Sequence, residues 1–233
     1  MDADKKTRRD VEVVERTNPY AGYFRIDRYR LRHRLFEGGW SGEMTREVFE
    51  RGHAAAALLY DPDLDRLVFI EQFRVGAFAA LNSPWYAEDD SPWLIECIAG
   101  IIEAGEDPEG VVRREAVEEA GCEIREIVPI THYLATPGGS TESVFLFCGR
   151  VDSRGVEGVH GLSEEHENIR VFTVSADEAL AMLDRGDIIN AMTLIPLYWF
   201  RGRRDALRRA WAGIPAGDGQ GGREGGGGTT TGP

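Results

Sequence analysis

The stretch from Leu94 to Cys122 constrains this chain more than any other, because it dictates a strand, a loop and a helix in fixed order. Leu94 to Ile102 is an apolar, strand-like run interrupted by Glu96 and Gly100. After Glu103-Ala104-Gly105-Glu106, Asp107 fits an N-cap and Pro108 the first helical position, where its missing N–H costs nothing. A helix is therefore expected from about Pro108 to Ala120, with Gly121 as its left-handed stop. Within it Glu115, Glu118 and Glu119 stand at i, i+3 and i+4, so their carboxylates share one face. Each like-charge neighbour costs roughly 0.2–0.5 kcal/mol, and only Arg114, four residues before Glu118, offsets that locally. Taken alone, such a row is a solvated acidic face. A divalent cation would turn the repulsion into ligation, and hard oxygen donors with room for water and phosphate oxygens suit Mg²⁺ or Mn²⁺.

The flanking segments supply the rest of a fold. Alternation of apolar and charged residues predicts strands between Val11 and Arg51, at Val11-Val13 and again from Tyr23 to Arg32. A hairpin follows, Ala54 to Tyr60 and Leu67 to Phe73 around the turn residues Asp61 to Asp65. Further strands are expected at Ile124 to Ile130, Val144 to Val151 and Ile169 to Val174, with helices opening at Ser175 and spanning Ala191 to Arg209. The order indicates mixed α+β, with helices packed against a sheet. Residues 1–10 are polar and expected to fray; residues 213–233 hold ten glycines and no apolar period, so they are excluded from the fold as a disordered tail.

Composition excludes some functions. Forty acidic against 27 basic residues give a net charge of −13, which argues against a general nucleic-acid partner but leaves room for a few arginines in a cleft to hold a small phosphate ligand. No apolar run approaches a bilayer span and the first ten residues carry no signal-peptide core, so neither a membrane partner nor export is expected. Cys97, Cys122 and Cys148 lie in no metal-ligand spacing and read as reduced core residues of a cytoplasmic protein.

The spacing around the acidic helix overturns the reading of a plain solvated face. From Gly100, five residues lead to Glu106 and seven more to Arg114-Glu115-Ala116-Val117-Glu118-Glu119-Ala120-Gly121-Cys122. This resembles the Nudix box, the signature of hydrolases acting on a nucleoside diphosphate linked to another moiety. Seven fixed residues at roughly 5–7% usage each match by chance on the order of 10⁻⁹ per start position. The likeness runs over about residues 10 to 205, and Pro137, fifteen past Cys122, marks the ADP-ribose pyrophosphatase branch.

That resemblance implies an α/β/α sandwich on a mixed sheet over residues 53–212, and an N-terminal β subdomain over residues 11–52 that exchanges between the subunits of a homodimer. It implies metal ligation by Glu115, Glu119, Glu167 and the backbone carbonyl of Ala99, with Glu165 as general base. Tyr23 would stack on adenine, Arg46 and Arg74 would meet the diphosphate, and Glu142 would bind the terminal ribose. Glu106, Arg114 and Glu118 would support the metal-facing carboxylates. The implied reaction is Mg²⁺-dependent hydrolysis of ADP-ribose to AMP and ribose 5-phosphate. Another nucleotide sugar, such as ADP-glucose or GDP-mannose, and a non-catalytic ADP-ribose sensor are the rival readings. Glu71 and Glu96 are read as ordinary charges beside apolar runs, and His166 as a bystander.

Overall fold

A computed structural model describes residues 5–162 and 166–211. The excluded tail and the expected base Glu165 lie outside the described residues. The segment expected to fray carries a 3₁₀ turn, Arg8–Asp10, closed by Thr7 and Asp10, which cap each other's backbone N–H groups.

Eleven strands and five α-helices follow among the described residues. The strands are β1 (Val11–Ala21), β2 (Arg25–His33), β3 (Met44–Glu50), β4 (His53–Asp61), β5 (Arg66–Phe73), β6 (Trp93–Glu96), β7 (Ile98–Ile101), β8 (Glu126–Leu134), β9 (Ser143–Arg150), β10 (Gly158–His160) and β11 (Ile169–Ser175). The helices are α1 (Val75–Ala80), α2 (Pro108–Glu118), α3 (Ala176–Arg185), α4 (Ala191–Arg201) and α5 (Arg204–Trp211).

The main sheet runs β10-β11-β5-β4-β9-β8, with β6 joined to β5 and β7 to β4. Only β4 and β9 are parallel, so the sheet is mixed. β4 lies at its centre and is buried from Ala54 to Asp61, because each of its faces is covered by helices. Its period of two divides the core: Ala55, Ala57 and Leu59 pack with Val111, Val112 and Ala116 of α2, while Leu58 and Tyr60 pack with α3, α4 and α5 through Leu183, Phe200 and Leu207. This is the expected sandwich.

Several elements differ from the sequence reading. The run from Leu94 to Ile102 is two strands, because the chain changes neighbours at Cys97: Glu96 pairs with Ile70 of β5, Ile98 pairs with Ala57 of β4, and the Cys97 N–H leaves the ladder to donate to Thr193 Oγ1 at 3.0 Å. The helix expected from Ala191 to Arg209 breaks at Gly202 into α4 and α5. The first strand reaches Ala21, since its charged residues are paired across the ladder, Glu12 with Arg32 and Glu15 with Arg30.

β1, β2 and β3 form a separate three-stranded sheet. Its last strand is tied to the loop before β9: the Phe49 N–H donates to Gly139 O at 2.8 Å, and the Thr141 N–H donates to Phe49 O at 3.1 Å. All three cysteines are free and buried, and burial pushes the Cys97 and Cys122 thiols up to about 12. Among the described residues no helix is long and apolar enough to cross a membrane.

Candidate active site

Helix α2 starts as its sequence demands, with the Asp107 carboxylate accepting from the Gly110 N–H at 2.9 Å and Pro108 in its first turn. Packing of Val111, Val112 and Ala116 on the sheet turns the acidic row along β7. Glu115 and Glu119 are consequently only 9% and 4% exposed. Glu119 accepts from the Ala99 N–H at 2.9 Å. Glu115 lies over Gly100 so closely that a Cβ there would stand 2.0 Å from its Oε1, so any side chain at this position would push the Glu115 carboxylate aside. Arg114 donates through Nη1 to Glu115 at 2.7 Å and Glu118 at 3.0 Å, and its Nε lies 3.6 Å from Glu106.

Ala99, Gly100, Arg114, Glu115, Glu118 and Glu119 line a cleft of about 720 Å³, together with Glu103, Glu167 and Leu162, whereas Glu106 does not reach its wall. Glu167 accepts from the Leu162 N–H at 3.1 Å. Burial raises the Glu119 carboxyl to about 8 and that of Glu115 to about 7, the Glu167 charge adding to both; the Ala99 N–H and Arg114 pull the other way. Among the described residues no three His, Cys, Asp or Glu side chains are gathered into a ready cage for an ion. Glu119 is turned onto a backbone amide and Glu115 onto a guanidinium. The donor set nevertheless fits a hard divalent cation: every expected donor is an oxygen, from carboxylates and one backbone carbonyl, and Glu115 and Glu119 are buried where their charge lacks a full counter-charge.

The NUDIX domain model matches residues 50–192. The chain belongs to the Nudix family. Its relatives include a protein of Escherichia coli (strain K12) named ADP-ribose pyrophosphatase, 45% identical over 203 residues that span 87% of this chain and 93% of the relative. A Haemophilus influenzae protein of the same name is 38% identical over 88% of this chain and 92% of its own length. A GDP-mannose pyrophosphatase of Citrobacter koseri is 35% identical over 65% of this chain and 75% of its own length. The fold is shared with a crystal structure described as an ADP compounds hydrolase, at a TM-score of 0.64 and 15% identity, covering 89% of this chain and all of that one.

The Nudix helix and its surroundings bring together most of the residues singled out in the sequence. Ala99, Glu115, Glu118, Glu119, Glu167, Arg114, Arg74 and Tyr23 all line the cleft. Tyr23 is 87% exposed and sits in the turn between β1 and β2, edge-on to Phe24, instead of within a strand. Arg46 lies on β3, donates to the backbone carbonyl of the preceding Thr45 and does not line the cleft. Glu142 is not on the cleft wall either; it lies beside Arg51. Glu96, read as an ordinary charge, is a buried anchor. Its carboxylate accepts from Nε and Nη2 of Arg74 at 2.9 and 2.8 Å, from Gln72 at 3.2 Å and from Asn190. Nothing local marks it, since its partners are Gln72 on β5, Arg74 at the head of α1 and Asn190 at the start of α4.

Glu115 and Glu119 carry folded-state values above the 4.5 of a free carboxyl. Their protonated forms therefore stabilise the fold below that value, and the contribution is lost as pH rises through about 7 and 8. Calorimetric scans of metal-free protein are expected to show Tm falling across that window, with a shallower fall in Glu119→Gln. An identical slope in the variant would mean that burial of this acid is not felt.

Proposed function

We propose that the chain hydrolyses the diphosphate of ADP-ribose to AMP and ribose 5-phosphate, with Mg²⁺ as cofactor and Mn²⁺ able to replace it. The observation that carries this reading is the buried acid row of α2 against Gly100, facing a cleft that the aromatic rings of Tyr23, Phe24 and Phe49 also line. The acids suit a cation and a diphosphate; the aromatic rings suit a base. The relatives named ADP-ribose pyrophosphatase support the same substrate, being more similar and more completely matched than those named GDP-mannose pyrophosphatase.

Glu115, Glu119, Glu167 and the carbonyl of Ala99 would hold the cation. When bound, it supplies positive charge against the diphosphate and acidifies water. Glu165 takes a proton from the water that attacks one phosphorus in line, and the other phosphate leaves. Arg114, forked between Glu115 and Glu118 and near Glu106, fixes the row. Arg74, oriented by the buried Glu96, donates to phosphate oxygens, and Tyr23 stacks on adenine.

A homodimer in the cytoplasm completes the reading. β1 is exposed along its whole length, with Val11, Val13, Val14 and Tyr20 outward, so a second copy would cover it and could bring Arg46 toward the partner's cleft. Three thiols buried without disulfides suit a reducing compartment.

Steady-state rates on a panel of nucleotide sugars test the substrate. ADP-ribose is expected to give the highest kcat/KM, and a tenfold preference for GDP-mannose or ADP-glucose would contradict it. Tight binding with no turnover in Mg²⁺ would indicate a sensor. Hydrolysis in ¹⁸O water, followed by mass analysis, then locates the label in AMP or in ribose 5-phosphate. Gly100→Ala tests the geometry: its methyl displaces Glu115, so kcat is expected to fall about a hundredfold or more while the circular dichroism spectrum stays native. Wild-type turnover in this variant would remove Glu115 from the site.

A further inference from the structure

β10 is an edge strand of the main sheet, three residues long and paired on one side with β11, where His160 stands opposite Ile169. Ile169 is buried in the core beneath α2, and the His160 ring, on the same face of the sheet, reaches the end of that helix. A Cβ at Gly121 would stand 2.7 Å from His160 Cε1 and 3.2 Å from its Nδ1, so the ring rests on the bare backbone of the turn that closes α2. In that turn the Gly121 N–H donates to Val117 O and the Cys122 N–H to Ala116 O, both at 3.0 Å, with Gly121 at a φ of +62°. Both the φ and the ring therefore demand glycine here. The residues that grip Glu167 follow His160 directly. A Cβ at Gly161 would stand 2.7 Å from the Glu167 Cβ, the Leu162 N–H donates to Glu167 Oε2 at 3.1 Å, and the Glu167 N–H donates to Leu162 O at 3.2 Å.

We propose that His160 is a positioning residue for the cation site: its ring, seated on the Gly121 turn, sets the β10–β11 hairpin against the end of α2 and so holds Glu167 opposite Glu115 and Glu119. The assignment rests on the reading of these acids as cation ligands. All three line one cleft, and the Glu167 charge pushes the carboxyls of Glu115 and Glu119 up, so without a cation the group repels itself. Glu167 is thus brought to its place against its own charge, and a packing contact has to supply the brace. The path is short: Glu119 lies two residues before Gly121, the ring spans from Gly121 to His160, and the two residues after His160 hold Glu167.

The experiment measures Mn²⁺ binding to the substrate-free protein, by electron paramagnetic resonance of the free ion, together with Tm and with kcat and KM for ADP-ribose at fixed Mg²⁺. It compares wild type, His160→Ala, His160→Asn, Gly121→Ala and the Gly121→Ala/His160→Ala double variant. His160→Ala is expected to weaken Mn²⁺ binding about tenfold and to lower kcat about tenfold, while KM for ADP-ribose changes less than about threefold. His160→Asn also loses the Cε1 that lies over Gly121, so it should behave alike, and it decides the matter should the alanine variant not fold. Gly121→Ala crowds the ring and is expected to weaken Mn²⁺ binding as well. Because both changes act at one contact, their effects on Mn²⁺ affinity should not multiply in the double variant.

Wild-type Mn²⁺ affinity in a folded His160 variant overturns the assignment, even if Tm falls, since the ring would then serve stability alone. Effects of His160→Ala and Gly121→Ala that multiply overturn it too. If the wild type binds Mn²⁺ but does not hydrolyse ADP-ribose, the proposed function fails separately, and the Mn²⁺ affinities still decide on His160. A wild type that binds no Mn²⁺ removes the cation site, and the role of His160 with it.

Discussion

Two carboxylates held out of water against a strand edge set the terms for everything around them. Glu115 and Glu119 are drawn under α2 because the hydrophobic side of that helix, Val111, Val112 and Ala116, has to reach β4, and the acids on its flank are carried onto β7 with it. Unpaired charge in such a place is costly. One acid is met by the Ala99 amide and the other by Arg114, and neither arrangement removes the penalty, which is visible in carboxyls raised to about 7 and 8. The absence of a side chain at Gly100 follows from the same closeness.

The sheet then determines what faces this row. At Cys97 the chain passes from β5 to β4, so Glu96 is left buried on one side of the switch and Ala99 and Gly100 lie beneath the acids on the other. Glu96 orients Arg74 at the cleft, and Asn190, which binds Glu96, also caps α4. From the opposite end of the chain, hydrogen bonds between Phe49 and the loop at Gly139 and Thr141 draw the β1–β2 turn to the same cleft, adding Tyr23 and Phe24. Three distant stretches of sequence thus meet around one helix.

Much of the helix was legible because its signals are local. A capping aspartate, a first-turn proline and a terminal glycine bracket α2 within a residue or two, and the acid spacing is a property of the helix alone. Elements governed by distant partners were harder to read. The change of neighbours at Cys97 depends on Thr193, so one apolar run concealed two strands. β1 is long because of charges on β2, not because of its own apolar pattern. α1 has six residues and no side-chain cap, so nothing announced it. The same holds in the site. Tyr23 and Arg74 matched family positions, whereas the anchoring role of Glu96 depends on a contact made 22 residues away.

The central claim is that the acid row of α2 forms a cation platform for a diphosphate. The most direct measurement is anomalous diffraction at the manganese edge from crystals grown with Mn²⁺ and a non-hydrolysable ADP-ribose analogue. The account predicts a peak bounded by Glu115, Glu119 and Glu167, with the analogue's phosphate oxygens beside it. A peak elsewhere, or none, with Glu119 still bonded to the Ala99 amide and Glu115 to Arg114, would contradict it.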